Sequence, residues 1–206
     1  LGEPEILVSL SSLPPEIADY IDEGTSLGLR VVLFAYSLDT RSLSDENTAP
    51  MLPPNLKPLG VVRFSDQLRP EARETLEGFA KAGIEVKIIS GDNPKTVAAL
   101  ARQAGLEGDI EVVSGQELAQ MSSVEFTQTA LNSNVFGRIT PEQKAELVRS
   151  LRLRNKYVAM IGDGVNDVLS LKQANLAIAM ESGSKATRSV ADIVLLKDSF
   201  GALPHT

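Results

Sequence analysis

A chain of 206 residues is long enough for one ordinary domain and part of another. Hydrophobic residues make up 43% and charged residues 23%, which predicts a packed core and excludes a disordered chain. Acidic residues outnumber basic ones, 27 to 20, for a net charge of −7. That excludes a nucleic-acid partner, because phosphate backbones are bound through clustered Lys and Arg, and the absence of cysteine removes disulfides and thiolate chemistry.

In chain order, a helix is predicted from about Pro14 to Ser26 and a strand from Arg30 to Tyr36. Residues 39–58 are polar and proline-rich and read as a connection. Residues 1–58 are therefore taken as the end of one domain with its linker, and 59–206 as a second. In the second, strands and helices alternate: Leu59–Phe64, helix Pro70–Ala82, strand Ile84–Ile89, helix Pro94–Ala104 and strand Val135–Phe136. Helix Pro141–Leu153, strand Tyr157–Ile161, a helix near Asp167–Ala174 and strands Leu176–Met180 and Ile193–Leu196 complete it. Such alternation predicts an α/β fold, Rossmann-like, with a mainly parallel sheet and helices on both faces. The apolar stretches Val31–Tyr36 and Tyr157–Ile161 fall far short of the roughly 20 residues a membrane helix needs. The chain starts at Leu1 without an initiator Met and stops at Thr206, and both ends are read as cuts in a longer protein.

Four loops at predicted strand ends carry the polar groups, where open α/β sheets bind ligands. Gly162-Asp163-Gly164-Val165-Asn166-Asp167 follows the apolar strand and offers two carboxylates and an amide, a donor set suited to a hard cation such as Mg²⁺. Ser90-Gly91-Asp92-Asn93 offers a hydroxyl and backbone N–H groups at a helix start, with Asn93 as cap and Pro94 at the first turn, a place for a phosphoryl group. In Arg138-Ile139-Thr140-Pro141-Glu142-Gln143-Lys144, Thr140 and Gln143 form a capping box that sets Lys144 one turn into the helix, with Ala145, Val148 and Leu151 as its buried stripe. The fourth loop is Asp66-Gln67-Leu68-Arg69-Pro70. Alone, the Ser90 loop reads equally well as an ordinary helix start, and the other two read more readily as a solvated Lys and as a helix N-terminal acid with a surface Arg; together the four loops are expected to meet at one edge of one sheet.

Together these residues resemble the P-type cation-transporting ATPases, whose phosphorylation domain belongs to the haloacid-dehalogenase-like superfamily. Gly162–Asp167, continued by Leu171-Lys172-Gln173-Ala174 and Ile178-Ala179-Met180, is similar to that family's hinge signature. Ser90-Gly91-Asp92 resembles its Thr-Gly-Asp motif, Thr140–Lys144 its Thr-Pro-Glu-Gln-Lys segment, and Asp66–Arg69 its Asp-x-x-Arg motif. Gly28-Leu29-Arg30-Val31 and Gly2-Glu3-Pro4-Glu5 resemble parts of its nucleotide-binding domain, so residues 1–58 would be the remnant of an α+β nucleotide-binding domain. The resemblance implies that Asp163 and Asp167 hold Mg²⁺, that Asn166 and Ser90 contact phosphate, and that Lys144 offsets its charge. It implies that Gly91, Asp92 and Arg138 lie at the nucleotide, Arg30 at its phosphates, and Asp66 and Arg69 at the alignment of the two domains around ATP. It further implies a cytoplasmic domain of an integral plasma-membrane protein, whose partners are ATP, its own transmembrane and actuator domains, and a transported cation.

The sequence departs from the pattern where Leu1 stands for a Lys, Gln67 for a frequent Pro, and Val168-Leu169-Ser170 for Ala-Pro-Ala. No Asp-Lys-Thr-Gly-Thr occurs, so the nucleophilic aspartate and its strand are expected upstream of Leu1, and the isolated chain is expected not to form a phosphoenzyme. Two other functions fit some of the motifs: a soluble phosphatase of the same superfamily, and a non-catalytic regulatory or nucleotide-binding module. Membrane helices in the full-length protein would separate the pump from the phosphatase.

Overall fold

The computed structural model describes residues 13–39, 53, 55–65, 67–106 and 108–205. The chain packs as two units, residues 1–67 and 68–206. In the first, helix α1 (Pro15–Ser26) precedes strands β1 (Arg30–Tyr36) and β2 (Lys57–Phe64). These two strands pair antiparallel, with Arg30 opposite Phe64 and a bulge between Phe34 and Ala35. Leu33 and Leu56 form the buried centre of this unit, against Leu13, Ala35 and Val61. Arg63 of β2 clamps α1: its guanidinium stacks on the Tyr20 ring, donates to the Tyr20 carbonyl and pairs with Glu23 at 2.8 Å. Gly28, at φ +79°, turns the chain from α1 into β1.

The boundary expected between residues 58 and 59 thus differs from the packed one after Gln67. The strand predicted at Leu59–Phe64 is present, but it pairs with β1 and not with the strands that follow. Most of the proline-rich stretch, together with Gly2–Glu5 and Asp66, lies outside the described residues.

The second unit begins with α2 (Ala72–Lys81), β3 (Ile88–Ile89), α3 (Pro94–Gln103), β4 (Val112–Ser114), α4 (Gly115–Leu118), α5 (Ser123–Asn132) and β5 (Val135–Gly137). It continues with α6 (Pro141–Leu153), β6 (Ala159–Gly162), α7 (Val168–Gln173), β7 (Leu176–Met180), α8 (Lys185–Val190) and β8 (Ile193–Leu195). The described strands form two parallel sheets of three, in the orders β3-β5-β4 and β6-β7-β8, where one sheet was expected. Alternation along β5 explains the layering. Val135 faces a cluster with Val97, Ala98 and Ala101 of α3, while Phe136 faces Val113, Leu118, Ala130, Ile139 and Leu147 on the other side. Both side chains are fully buried.

Local chemistry sets the helix boundaries. Asn93 caps α3 by accepting from the Lys95 N–H at 2.8 Å, and Gly105 at φ +95° follows its end. Capping boxes start α4 (Ser114 with Glu117), α5 (Ser122 with Glu125) and α6 (Thr140 with Gln143). The Ser114 and Ser122 groups hold the Glu117 and Glu125 carboxyls below the usual carboxylate range. The strand expected from Ile84 shrinks to Ile88–Ile89, and that expected from Tyr157 begins at Ala159, leaving Ile84 and Tyr157 largely exposed. Phe79 of α2 meets Phe200 edge-on at 5.8 Å and so ties the last turn to the start of the unit.

The carboxyl end of α5 depends on one buried ammonium. Lys87 donates to the Leu131 and Ser133 carbonyls at 2.9 and 2.8 Å and pairs with Glu85 at 2.7 Å. Replacing it, Lys87→Met, leaves two carbonyls without a donor, and chemical denaturation should show a loss of about 1–3 kcal/mol.

Candidate active site

The loop after β6 is organised around the buried Asp167 carboxylate. One oxygen, Oδ2, accepts the backbone N–H groups of Asp163 and Gly164 at 3.2 and 3.1 Å. The other, Oδ1, meets Lys144 Nζ at 2.7 Å. Both side chains are buried, at 13% exposure for Lys144 and 9% for Asp167. Lys144 is therefore not the solvated surface cation that its helix position alone allows. Gly162 makes the turn possible, since a Cβ there would lie 2.5 Å from that of Asp167.

Asp163 presents an exposed carboxylate with no hydrogen-bond partner among the described residues, and Asn166 is exposed beside it. Its backbone, by contrast, is held firmly. The Asp163 carbonyl accepts the Ser184 N–H at 2.7 Å and the Thr187 hydroxyl at 3.3 Å. Gly183 packs so closely that a Cβ would come within 3.0 Å of Asp163 Cα. Reading the motifs alone misses these three residues; the available signal was Ser184 three residues before Thr187, the spacing of a helix cap.

A second pair of loops closes on Ser90. Its N–H donates to the Phe136 carbonyl at 2.9 Å and its carbonyl accepts from Ile139 at 3.0 Å, while Arg138 N–H donates to the Asp92 carbonyl at 2.8 Å. The Ser90 hydroxyl oxygen accepts the Asp92 N–H at 3.1 Å, and its proton reaches the Asp92 carboxylate only at a long 3.4 Å. That proton is loosely held. Arg138 takes a left-handed φ of +53°, and Gly137 and Gly115 admit the close approach: Cβ atoms there would strike Pro94 at 2.5 Å and the Arg138 carbonyl at 2.1 Å. Gln143 crosses the same gap, donating to the Gly115 carbonyl at 2.7 Å.

The two pairs meet at the start of α6. Ile139 is bonded to Ser90, Thr140 caps the helix, and Lys144 one turn later reaches Asp167. The fourth loop joins through Arg69, which donates to the Asp198 carbonyl at 2.7 Å. Asp198 accepts the Ser182 N–H at 3.0 Å, next to the Gly183 that supports Asp163. The Ser182 hydroxyl and then its N–H, with Arg69 nearby, hold the Asp198 carboxyl below its usual range. Arg30 lies on the first unit, at the start of β1; Asp66 is outside the described residues.

No group of three or more His, Cys, Asp or Glu donors comes together among the described residues. Asp163 and Asp167 nonetheless match what Mg²⁺ requires, one or two carboxylates with the other positions left to phosphate and water. Of the two, Asp163 could take a cation without breaking a contact, whereas Asp167 Oδ1 must first be released by Lys144.

Comparison with known proteins shows the family of the chain. The sequence profile of the haloacid dehalogenase-like hydrolase family matches residues 11–175. The calcium-transporting ATPase CtpE of Mycolicibacterium smegmatis is 40% identical over 205 residues, covering 100% of this chain and 24% of that protein. The probable cation-transporting ATPase exp7 of Streptococcus pneumoniae is 34% identical over 205 residues, again 100% of this chain and 25% of its own length. The probable cation-transporting ATPase F of Mycobacterium bovis is 37% identical over 187 residues, 87% of this chain and 20% of that protein. The chain thus spans about a quarter of the length of the curated relatives it matches, and the resemblance expected from four loops extends along all of it.

The ion pair makes a prediction of its own. Lys144→Met leaves the Asp167 charge buried and should cost about 3–5 kcal/mol in metal-free denaturation. Adding Asp167→Asn should restore part of that loss, giving a coupling of about 0.5–3 kcal/mol in a double-mutant cycle. Strict additivity would show that the two side chains do not meet.

Proposed function

The chain belongs to the haloacid dehalogenase-like hydrolases, and from that premise we propose that it is the phosphoryl-transfer portion of a P-type ATPase that drives cation transport through an aspartyl-phosphate. The observation that carries the reading is Lys144 held on Asp167 beside the open carboxylate of Asp163, one helical turn beyond the Arg138–Thr140 loop that is bonded to Ser90. That arrangement suits a γ-phosphoryl group better than any neutral substrate. The likeness to transport ATPases runs through residues 13–67 as well, which a soluble phosphatase reading leaves without a role.

In this reading Asp163 and Asp167 hold Mg²⁺, which when bound supplies charge neutralisation at the phosphoryl oxygens. Asp163 offers its free carboxylate, while the Ser184 N–H and the close packing of Gly183 hold its backbone. Lys144 moves its ammonium from Asp167 toward the phosphoryl group. Ser90 turns its loosely held proton to a phosphoryl oxygen, with Asn166 as a further contact. Gly91, Asp92 and Arg138 serve the nucleotide, Arg30 its phosphates, and Asp66 and Arg69 its alignment. Substrate ATP and the transported cation follow from the same reading, as do transmembrane and actuator domains in the full-length protein and a cytoplasmic position for this portion. No helix among the described residues is long and apolar enough to cross a membrane.

The two sheets suit this reading too. β3 and β6, whose loops carry Ser90 and Asp163, each have one strand neighbour among the described residues. A strand carrying the nucleophilic aspartate would pair with both and bring the attacking carboxylate between the two loops.

Asp163→Asn in the full-length protein separates a metal role from a structural one. Its carboxylate bonds to no described residue, so metal-free melting should hardly change. Acid-stable phosphorylation from ATP should fall by about two orders of magnitude or more, or require far higher Mg²⁺. Near-normal phosphorylation at ordinary Mg²⁺ would overturn the assignment.

A further inference from the structure

The opposite end of α6 carries a surface that the phosphoryl chemistry does not use. Residues 147–162 contain no Asp or Glu but include Arg149, Arg152, Arg154 and Lys156, in a chain whose net charge is −7. These cations cluster at the carboxyl end of α6 and the start of β6, around an open cavity of about 500 Å³ lined by Arg149, Arg152, Leu153, Lys156 and Tyr157. Arg152 donates to the Gln173 carbonyl at 2.6 Å, which ties the end of α7 to this face. Arg149 is paired with Glu146, but Arg154 and Lys156 are exposed and make no ion pair with any described residue. Between them Asn155 takes a left-handed φ of +60°, turning the chain so that Leu153 and Tyr157 stand out at 73% and 78% exposure.

We propose that this face docks on an anionic phospholipid leaflet. Clustered Lys and Arg beside protruding Leu and Tyr are the combination an interface of headgroups and acyl chains selects: the cations meet lipid phosphates, and the ring and the isobutyl group enter the boundary. A small soluble anion would use the cations alone and leave the two apolar side chains without a role. The placement is also compatible with catalysis. The 13 residues of α6 span about 20 Å, so a leaflet at its carboxyl end stays clear of the Lys144–Asp167 pair at the other. The proposal takes from the proposed function only that a membrane is nearby. It is tested without phosphoryl transfer, so either reading can fail alone.

The test is cosedimentation of the 206-residue chain with phosphatidylcholine vesicles, with and without 30% phosphatidylglycerol. Binding should appear only with the anionic vesicles and weaken as salt rises. Each basic residue near such a surface multiplies binding by about fivefold, so Arg154→Glu with Lys156→Glu should lower it by at least about 25-fold. Tyr157→Ser should lower it severalfold, and melting should be unchanged in both variants because all three side chains are exposed. Absent binding, equal binding to neutral vesicles, or full binding by the charge-reversed variant would overturn the proposal. So would binding abolished by millimolar inorganic phosphate at constant ionic strength, which would mark a small-anion site instead.

Discussion

A single buried carboxylate sets the geometry on which the rest of the second unit depends. Asp167 accepts two backbone N–H groups from its own loop and an ammonium from a helix 23 residues earlier, so it fixes both the turn after β6 and the approach of α6 to it. Its burial is tolerable only because all three donors are present; with any one missing, a desolvated charge would be under-compensated. The surrounding sequence is shaped to admit this group. Gly162 removes the side chain that would displace it, and the Thr140–Gln143 cap sets the start of the helix from which Lys144 reaches it.

From that point rigidity spreads by backbone contact. The Ser90 and Arg138 loops are joined N–H to carbonyl, and glycines at 115 and 137 let the two chains pass at distances no other residue permits. The Asp163 loop leans on Gly183, Ser184 and Thr187 in the same way. The Asp163 carboxylate and the Ser90 hydroxyl are left open or weakly held, while their backbones are fixed. Reactive groups on a rigid frame need little reorganisation when charge develops. The molecule is also polar along α6, with carboxylates and a buried lysine at one end and a basic, apolar-tipped surface at the other.

Much of this was legible in the sequence. Hydrophobic alternation located β5, β7 and most helices, and the spacing from Thr140 to Gln143 correctly placed Lys144 one turn into its helix. The motifs named the loops but not their internal economy: nothing in Gly162–Asp167 says that Asp167 is saturated while Asp163 stands open. Partnering over long range was hidden as well. Leu59–Phe64 has the pattern of a strand, but alternation cannot say that it pairs backward with β1 instead of forward. Tyr157 looked like the first residue of a buried strand because apolar character was taken for burial. The α4 and α5 helices were missed despite two Ser-x-x-Glu capping signals, since the intervening segment has little periodicity to mark it.

The central claim is that Lys144 guards Asp167 in the resting chain and gives it up when a cation arrives. Lysine side-chain nitrogen NMR during a Mg²⁺ titration addresses this directly. Without Mg²⁺, the Lys144 ammonium should give a slowly exchanging signal distinct from the surface lysines. As Mg²⁺ is added, that signal should shift or broaden with the same midpoint as the Asp163 and Gly164 backbone amides. An ammonium indistinguishable from surface lysines, or unmoved while those amides titrate, would contradict the account.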